Sequence, residues 1–313
     1  MKLLNLLGRF SMAIISKARQ IETTGVIINE HTLTASQTRL HVETFNRWFD
    51  FIHYDELLDR LLRPRARPFC LLTFDDGKRS NATETAPELE RLGVPAVFYV
   101  TTRFLTDGFP LWFDRSDAIR RSLGYIPPEL DEDTLKQLPF KILNERLDRA
   151  CDRYQAPPDM ECDDIRPMTW NEARGLARRG FTLGAHGLRH TILTRETEAD
   201  ARFEIRQSIE EVKTEIGECP TFAFPNGNYT KRLARYAIEC GVETVVTTEP
   251  MWVDSRFPPW RLPRVQFFEG QSRVRIELKL AAAATGRLLA NPDGTGRQYR
   301  KRRINDIWAI KRQ

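Results

Sequence analysis

Two adjacent carboxylates, Asp75 and Asp76, follow an apolar run that ends at Phe74, and Gly77 comes directly after them. Side chains of successive residues at a strand end diverge, so one carboxylate can bind a cation while the other is free to act as a base. The alternative is a helix N-cap beside one further surface acid. Both interpretations are open from these residues alone.

A second polar group lies in "GAHGLRHTILT" (184–194), again after an apolar run, and holds two of the chain's five histidines. His186 and His190 are four positions apart, a spacing that lets both imidazoles face one point. Two histidines and a carboxylate with open coordination positions suit catalytic Zn²⁺ or another divalent transition ion. The pair lacks a Glu after the first His, so it does not match the helical metalloprotease motif.

The third motif is the turn Pro225-Asn226-Gly227, which directly follows the apolar segment "PTFAFP" (220–225). Pro, Asn and Gly are typical turn residues. The backbone N–H groups of such a turn can point at an oxyanion that develops during a reaction. An ordinary strand-to-helix turn is the alternative.

Each motif follows a predicted strand, in a chain where strands and helices alternate. Strands are predicted at 25–31, 69–74, 95–101, 181–186, 220–225, 243–248 and 260–267. Helices are predicted at 43–62, 81–93, 169–180, 198–217, 229–241 and 272–286. This alternation predicts a parallel α/β sheet closed, or nearly closed, into a barrel. Functional groups of such sheets collect where strands end, which would bring the three motifs together.

Residues 104–168 interrupt the alternation and predict a mostly helical insertion over the barrel mouth. It is either a lid or specificity element, or a packing excursion without contact to the chemistry. We therefore divide the chain into an N-terminal segment (1–21), a barrel (22–285) that carries this insertion, and a basic C-terminal tail (286–313).

Composition narrows the class of protein. The five cysteines are scattered without a C-x-x-C pair, which argues against a disulfide framework or a cysteine-ligated zinc. No apolar run approaches the roughly 20 residues that cross a bilayer. Arg9 interrupts the apolar start before it reaches signal-peptide length. These features predict a cytoplasmic protein, with a weak uncleaved anchor as the alternative.

The net charge is +5, and residues 296–313 hold seven Lys/Arg against one Asp. A basic tail with Trp308 and Ile310 can contact an anionic membrane surface, or it can simply be solvated. A nucleic-acid partner is not expected, because a barrel with a helical insertion and no aromatic-basic motif is not typical of such proteins.

In their order along the chain, "TFDDG" (73–77), His186…His190 and "FPNG" (224–227) resemble the polysaccharide deacetylase family, the NodB-homology domain. The resemblance covers roughly residues 22–104 and 166–270 and is greatest for the exopolysaccharide-associated branch. It implies a deformed (β/α)₇ barrel with a helical insertion. It also implies metal-dependent removal of acetyl groups from N-acetylated sugars.

The resemblance implies a role for each motif residue. Asp76, His186 and His190 would hold a divalent metal ion, foremost Zn²⁺. Asp75 would be the base that takes a proton from the attacking water. The backbone N–H of Asn226 would stabilise the tetrahedral oxyanion together with the metal.

Several positions depart from the family pattern. Gly187 stands where many members have Ser or Thr, and Thr191 is a candidate replacement for the lost hydroxyl. Ala223 stands where many have an Arg that orients the catalytic Asp. Arg261 or Arg264 could supply that guanidinium from a later strand, and Arg264 is our choice. Asn226 replaces an aromatic residue, which keeps the backbone donor but removes a wall of the sugar pocket.

The family takes its general acid from a late His, and this chain has no His after His190. We predict that His31 protonates the leaving amine, because it ends the first strand, which adjoins the last in a closed barrel. A structural His that bonds a loop carbonyl is the alternative.

The predicted function is hydrolysis of the N-acetyl group of an amino sugar in a polysaccharide or glycan precursor. The alternative is a catalytically weak relative that binds glycan without turnover, which Ala223 and the missing late His suggest. In either case the expected partner is an N-acetylated glycan.

Overall fold

The computed structural model describes residues 25–63, 67–158 and 160–284. Its strands are β1 (Gly25–Glu30), β2 (Asp50–Phe51), β3 (Phe69–Phe74), β4 (Ala96–Val100), β5 (Thr182–Ala185), β6 (Thr221–Ala223), β7 (Thr244–Val246) and β8 (Val265–Gln266). They form one sheet in the order β7-β6-β5-β4-β3-β1-β8, in which every neighbouring pair is parallel. The short strand β2 pairs with β3 outside this path.

One short segment, residues 262–266, contacts both ends of this curled sheet. Val265 of β8 pairs with Ile28 of β1, and Leu262 forms a parallel bridge with Val246 of β7. The Leu262 N–H donates to the Val245 carbonyl at 2.9 Å. The predicted deformed (β/α)₇ barrel is therefore confirmed, with its seam at this segment.

Alternate strand residues face the two sides of the sheet, as the period of a β-strand requires. Val26 and Ile28 pack in the large cluster beneath the helices, whereas Ile27 packs on the opposite side with Val97 and Tyr99. Both sides are apolar because helices cover one and the barrel interior encloses the other.

Eleven α-helices are present within the described ranges. They are α1 (Ala35–Asn46), α2 (Leu57–Leu62), α3 (Ala86–Leu92), α4 (Thr102–Asp107), α5 (Trp112–Leu123), α6 (Glu132–Leu135), α7 (Phe140–Tyr154), α8 (Trp170–Arg178), α9 (Glu198–Ile216), α10 (Lys231–Glu239) and α11 (Arg273–Ala284). Thr169, Thr197 and Thr230 cap α8, α9 and α10, each accepting a backbone N–H from three residues further on.

The continuous helix predicted at 43–62 is wrong. The Thr34 hydroxyl accepts the Gln37 N–H, so α1 begins at Ala35, and it ends at Asn46. The chain then forms β2, whose Asp50 N–H donates to the Pro68 carbonyl at 2.9 Å. Pairing with a distant strand has overridden the local helical periodicity.

Helices α5, α6 and α7 lie within residues 104–168, where the helical insertion was predicted. They enclose a small apolar cluster of their own, which includes Trp112, Ile119, Leu143 and Leu147. Ile192, which follows the second motif histidine, packs into the same cluster. The insertion therefore contacts the loop that carries His190.

Two predicted segments, 1–21 and 286–313, lie outside the residues that the structure describes. Across residues 25–63, 67–158 and 160–284, no helix combines the length and the apolar character needed to cross a membrane.

Candidate active site

The motif residues meet where the strands of the barrel end. Asp75 and Asp76 follow β3, and His186 follows β5 with His190 in the loop beyond it. Asn226 lies in a turn of 3₁₀ helix, Pro225–Gly227, directly after β6. Parallel strands place all of these ends at one edge of the sheet.

Asp76, His186 and His190 form a buried cluster with the donor set of a metal site. The Asp76 Oδ1 atom lies 3.5 Å from His186 Nε2 and 3.3 Å from His190 Nε2. Each residue offers one ligand atom, and these three atoms lie within 4.8 Å of one another, close enough to share a metal ion. One carboxylate and two imidazoles leave coordination positions open, as catalytic sites require.

The hydrogen bonds around the cluster fit a cation. His186 Nδ1 lies 2.9 Å from the Ala223 carbonyl oxygen. A carbonyl only accepts, so Nδ1 carries the hydrogen and Nε2 presents a lone pair towards Asp76. The Asp76 Oδ1 atom is buried and accepts no hydrogen bond from any described residue. A buried, unpartnered carboxylate oxygen is unfavourable unless a cation compensates it.

The protonation tendencies of the three residues differ. Burial would raise the pKa of Asp76, but its contacts with both imidazoles hold that pKa well below the usual value. Burial lowers the pKa of His190, which favours the neutral, ligating form. For His186 burial acts in the same direction, but Asp75 and Asp76 outweigh it and raise the pKa above its ordinary value.

Asp75 is held by Arg264 in a buried, bidentate ion pair. The two terminal guanidinium nitrogens donate to its carboxylate oxygens at 2.7 and 2.8 Å. Arg264 is itself fixed by the Thr247 carbonyl, to which its Nε donates at 3.1 Å. Burial would raise the pKa of Asp75, but Arg264 and then His186 outweigh it, so the pKa is lowered and the group is ionised.

The positions of the acidic pair and of the two candidate arginines decide between alternatives that the sequence left open. Asp75 and Asp76 are only 3% and 2% exposed, so the interpretation of an N-cap beside a surface acid is wrong. Arg261 pairs with Glu249, to which its Nε donates at 2.8 Å. Of the two candidate arginines, the structure places Arg264 on the carboxylate.

Three site residues have a left-handed backbone that non-glycine residues rarely adopt. The φ angles are 79° at Asp76, 56° at His190 and 56° at Asn226, and Gln155 is the one other such residue in the described ranges. This conformation is unfavourable and persists only where the surrounding structure holds it.

Glu204 on α9 holds the histidine loop and was missed by sequence reasoning. This buried carboxylate accepts the backbone N–H groups of Leu188 and Arg189 at 3.1 and 3.2 Å, and the Arg189 Nε at 2.7 Å. Its signal in the sequence is an acid on the apolar face of the helix, between Ala201 and Ile205. A charged residue on a buried face needs a partner.

His31 lies near the acidic pair, beyond the end of β1. It is close enough for its charge to lower the pKa of both Asp75 and Asp76, though burial is the largest influence on each. The imidazole lies nearly parallel to the ring of Phe268, with an angle of 7° and centroids 6.5 Å apart. Phe268 is half-exposed, so the stacked rings lie at the protein surface near the acidic pair.

A side chain at Gly187, where many family members have Ser or Thr, would meet both an unfavourable φ angle and a close contact. The φ of Gly187 is 76°, and an added Cβ would lie 3.0 Å from the Cγ of Pro225. The suggested replacement hydroxyl, that of Thr191, is buried and has no hydrogen-bond partner among the described residues. The close packing of Gly187 on Pro225 also places the Asn226 turn against the loop of His186.

Comparison with known proteins agrees with this geometry. The sequence profile of the family described as polysaccharide deacetylase matches residues 63–245, more than half of the chain. No curated protein matches the sequence.

Several solved structures share the fold at low sequence identity. A Streptococcus pyogenes deacetylase, PplD, solved with acetate, has a TM-score of 0.59 at 12% identity, covering 83% of this chain and 99% of its own. The BpsB deacetylase domain from Bordetella bronchiseptica gives 0.54 at 16% identity, covering 79% and 96%. A de-N-acetylase from Aggregatibacter actinomycetemcomitans gives 0.55 at 12% identity, covering 82% and 99%. With the matched profile, the motifs and the barrel in agreement, the chain belongs to the polysaccharide deacetylase family.

Proposed function

We propose that this protein is a metal-dependent deacetylase that hydrolyses the N-acetyl group of an amino sugar in a polysaccharide or glycan precursor. The observation that carries the proposal is the buried cluster of Asp76, His186 and His190 beside the ionised, Arg264-bound Asp75. The de-N-acetylase among the structures of the same fold supports an amide rather than an ester substrate.

Asp76, His186 and His190 would hold the cation, for which we propose Zn²⁺. When bound, such an ion lowers the pKa of water towards about 7 and polarises a carbonyl oxygen. The protein supplies the orientation of the ligands, since the Ala223 carbonyl fixes the tautomer of His186 and Glu204 fixes the loop that leads to His190.

Asp75 acts as the general base on the attacking water. Its Oδ2 atom lies 4.0 Å from His186 Nε2, so the carboxylate is next to the proposed ligand set. Arg264 keeps it ionised and fixes its plane. The pair thus provides a positioned proton acceptor, which contributes typically 10²- to 10⁴-fold to a rate.

The remaining steps fall to Asn226 and His31. Water adds to the acetyl carbonyl carbon, and the Asn226 N–H donates to the oxygen that becomes negative; loss of such a donor costs about 3–4 kcal/mol of barrier. The carbon–nitrogen bond then breaks, and His31 gives a proton to the leaving amine. The products are acetic acid, which ionises to acetate on release, and the free amino sugar. Asp75 then holds the proton taken from water, and its return to solvent and the reprotonation of His31 restore the site.

The test combines metal analysis with turnover. Wild-type protein and His186→Ala are analysed for bound metal, then incubated with an N-acetylglucosamine oligomer and added Zn²⁺ or Co²⁺. Wild type is expected to carry metal and release acetate, and the variant to do neither. Equal metal in both samples would contradict the ligand assignment. Metal and glycan binding without acetate release would instead favour the alternative, a glycan-binding relative.

The cytoplasmic location and the membrane contact of the tail (286–313) remain proposals from sequence.

A further inference from the structure

Among the contacts between the helical insertion and the surroundings of the proposed metal site is a buried ion pair made by Lys78. This lysine comes two positions after Asp76, and its side chain is only 3% exposed. Its Nζ forms an ion pair with the carboxylate of Asp114, which lies in the first turn of α5. A barrel residue next to a proposed ligand is thereby joined to the start of the insertion.

Aromatic rings and a carbonyl complete the surroundings of Lys78. Its Nζ lies 5.2 Å from the ring centroid of Phe104 and 5.1 Å from that of Phe113. It also donates to the Ile165 carbonyl at 3.4 Å. Phe104 and Phe113 belong to the beginning of the insertion and Ile165 to its end, so both ends converge on a single ammonium group.

From Phe113 the contact continues to a proposed ligand. The Phe113 ring meets the imidazole of His190 edge to face, with centroids 5.1 Å apart and an angle of 75°. Asp114, Lys78, Phe113 and His190 therefore form an unbroken series of packed groups. His190 Nδ1 has no hydrogen-bond partner among the described residues, so ring packing contributes to its orientation.

The backbone beside Asp76 is held by the same part of the chain. The Met168 N–H donates to the Gly77 carbonyl at 3.0 Å, and the Arg79 N–H donates to the Arg166 carbonyl at 3.0 Å. Asp76 and His190 both have left-handed φ angles, 79° and 56°, which need external support. The insertion supplies support at both residues.

We propose that the Lys78–Asp114 ion pair is a positioning device that fixes the insertion on the barrel and so keeps Asp76 and His190 in ligand geometry. This inference rests on the proposed function, because it concerns metal binding. It speaks against a packing excursion without contact to the chemistry, and it assigns the insertion a positioning role rather than that of a lid or specificity element.

The energetics of buried ion pairs support this role. Such a pair adds little net stability over an apolar pair. Loss of one partner, in contrast, leaves an uncompensated buried charge. Without the Asp114 carboxylate, the Lys78 ammonium would be left unpaired two residues from Asp76, where a second cation must bind. Both the loosened insertion and the repulsion would weaken metal binding.

The test measures Zn²⁺ affinity of the full-length protein by competition with a chromophoric chelator. Asp114→Asn, which keeps the shape of the side chain, is expected to raise the dissociation constant at least about tenfold. Asp117→Asn is the matched control, since Asp117 lies on the same helix in an exposed pair with Arg120. The control is expected to bind Zn²⁺ like wild type.

An unchanged dissociation constant in folded Asp114→Asn would overturn the inference. If circular dichroism shows that this variant is unfolded, the double variant Lys78→Met/Asp114→Leu takes its place, because it removes the ion pair without leaving one charge buried and unpaired. It is expected to weaken Zn²⁺ binding several-fold, and unchanged affinity would overturn the inference equally. Failure of wild type to bind Zn²⁺ would instead contradict the proposed function, and the inference with it.

Discussion

Both terminal nitrogens of Arg264 donate to the carboxylate of Asp75, at 2.7 and 2.8 Å, across 189 positions of sequence. Arg264 is entirely buried, and Asp75 almost so. The guanidinium comes from the segment that closes the barrel, whereas many family members place an arginine at the position of Ala223. The arginine that binds Asp75 in this protein therefore lies in a different segment of the chain.

Replacement of Arg264 by lysine is expected to lower kcat at least about tenfold, because lysine keeps the charge but not the planar fork that orients the carboxylate. Replacement by methionine is expected to reduce the free energy of unfolding by about 3–5 kcal/mol, since it leaves Asp75 buried and unpaired. Arg261→Lys serves as the control, because Arg261 pairs with Glu249. Equal kinetics for the two lysine variants would refute an orienting role for Arg264.

Replacement of His31 by glutamine is expected to lower kcat about 10²-fold or more, as loss of a general acid does. Metal content should not change, because His31 lies outside the proposed ligand set. His53→Gln is the control, since His53 is exposed and belongs to the turn before α2. Unchanged turnover in His31→Gln would remove this residue from the mechanism and favour a structural role.

Two glycine substitutions separate backbone strain from a steric contact. Gly180→Ala is expected to lower the free energy of unfolding by about 1 kcal/mol, because its φ is 86° but the space around it is open. Gly187→Ala should cost more, since its Cβ would also lie 3.0 Å from the Pro225 ring. Urea unfolding of both variants measures the difference. Equal losses would show that Pro225 adjusts freely.

Glu30 should make stability depend on pH. Its carboxylate is buried between β1 and α1, 2.7 Å from His41 Nδ1. Burial raises its pKa above the ordinary value, although His41, His31 and Lys279 act in the opposite direction. A carboxyl whose pKa is higher in the folded state stabilises the protein fully below its unfolded pKa, and this contribution is lost as pH rises through the folded pKa.

The Glu30→Gln variant cannot ionise at this position. We therefore expect it to be about as stable as wild type near pH 4 and more stable near pH 8, as measured by urea unfolding at each pH. The same pH dependence in both proteins would show that Glu30 does not titrate in this range.

The sequence was most informative where strand ends carry polar residues. Asp75, His186 and Asn226 each follow an apolar run, and parallel strands must bring such ends to one edge of a sheet. Arg261 and Arg264 both lie in the last predicted strand, so the sequence pattern did not distinguish them. The contact that distinguishes them, the bidentate pair of Arg264 with Asp75, is seen only in the structure.

Other parts of the site depend on contacts that no local pattern reveals. β2 forms because the Asp50 N–H donates to the carbonyl of Pro68, which lies beyond α2 in the chain. The residues around β2 nevertheless have helical periodicity. The pairing of Lys78 with Asp114 depends on how an insertion folds back on the barrel. In the sequence, Glu204 is recognisable only as a charged residue on the apolar face of a helix. Two of its partners are backbone N–H groups, which no sequence pattern reveals.

The position of the seam also affects the order in which the protein matures. A ribosome makes Asp75 long before Arg264, which lies 189 residues later. Until residues 262–266 emerge and dock between β1 and β7, the barrel of the growing chain is not closed. Asp75 also lacks the guanidinium of Arg264 until then. Hydrolytic competence should therefore arise only in the last stage of synthesis, and a nascent chain that stalls earlier should be catalytically silent.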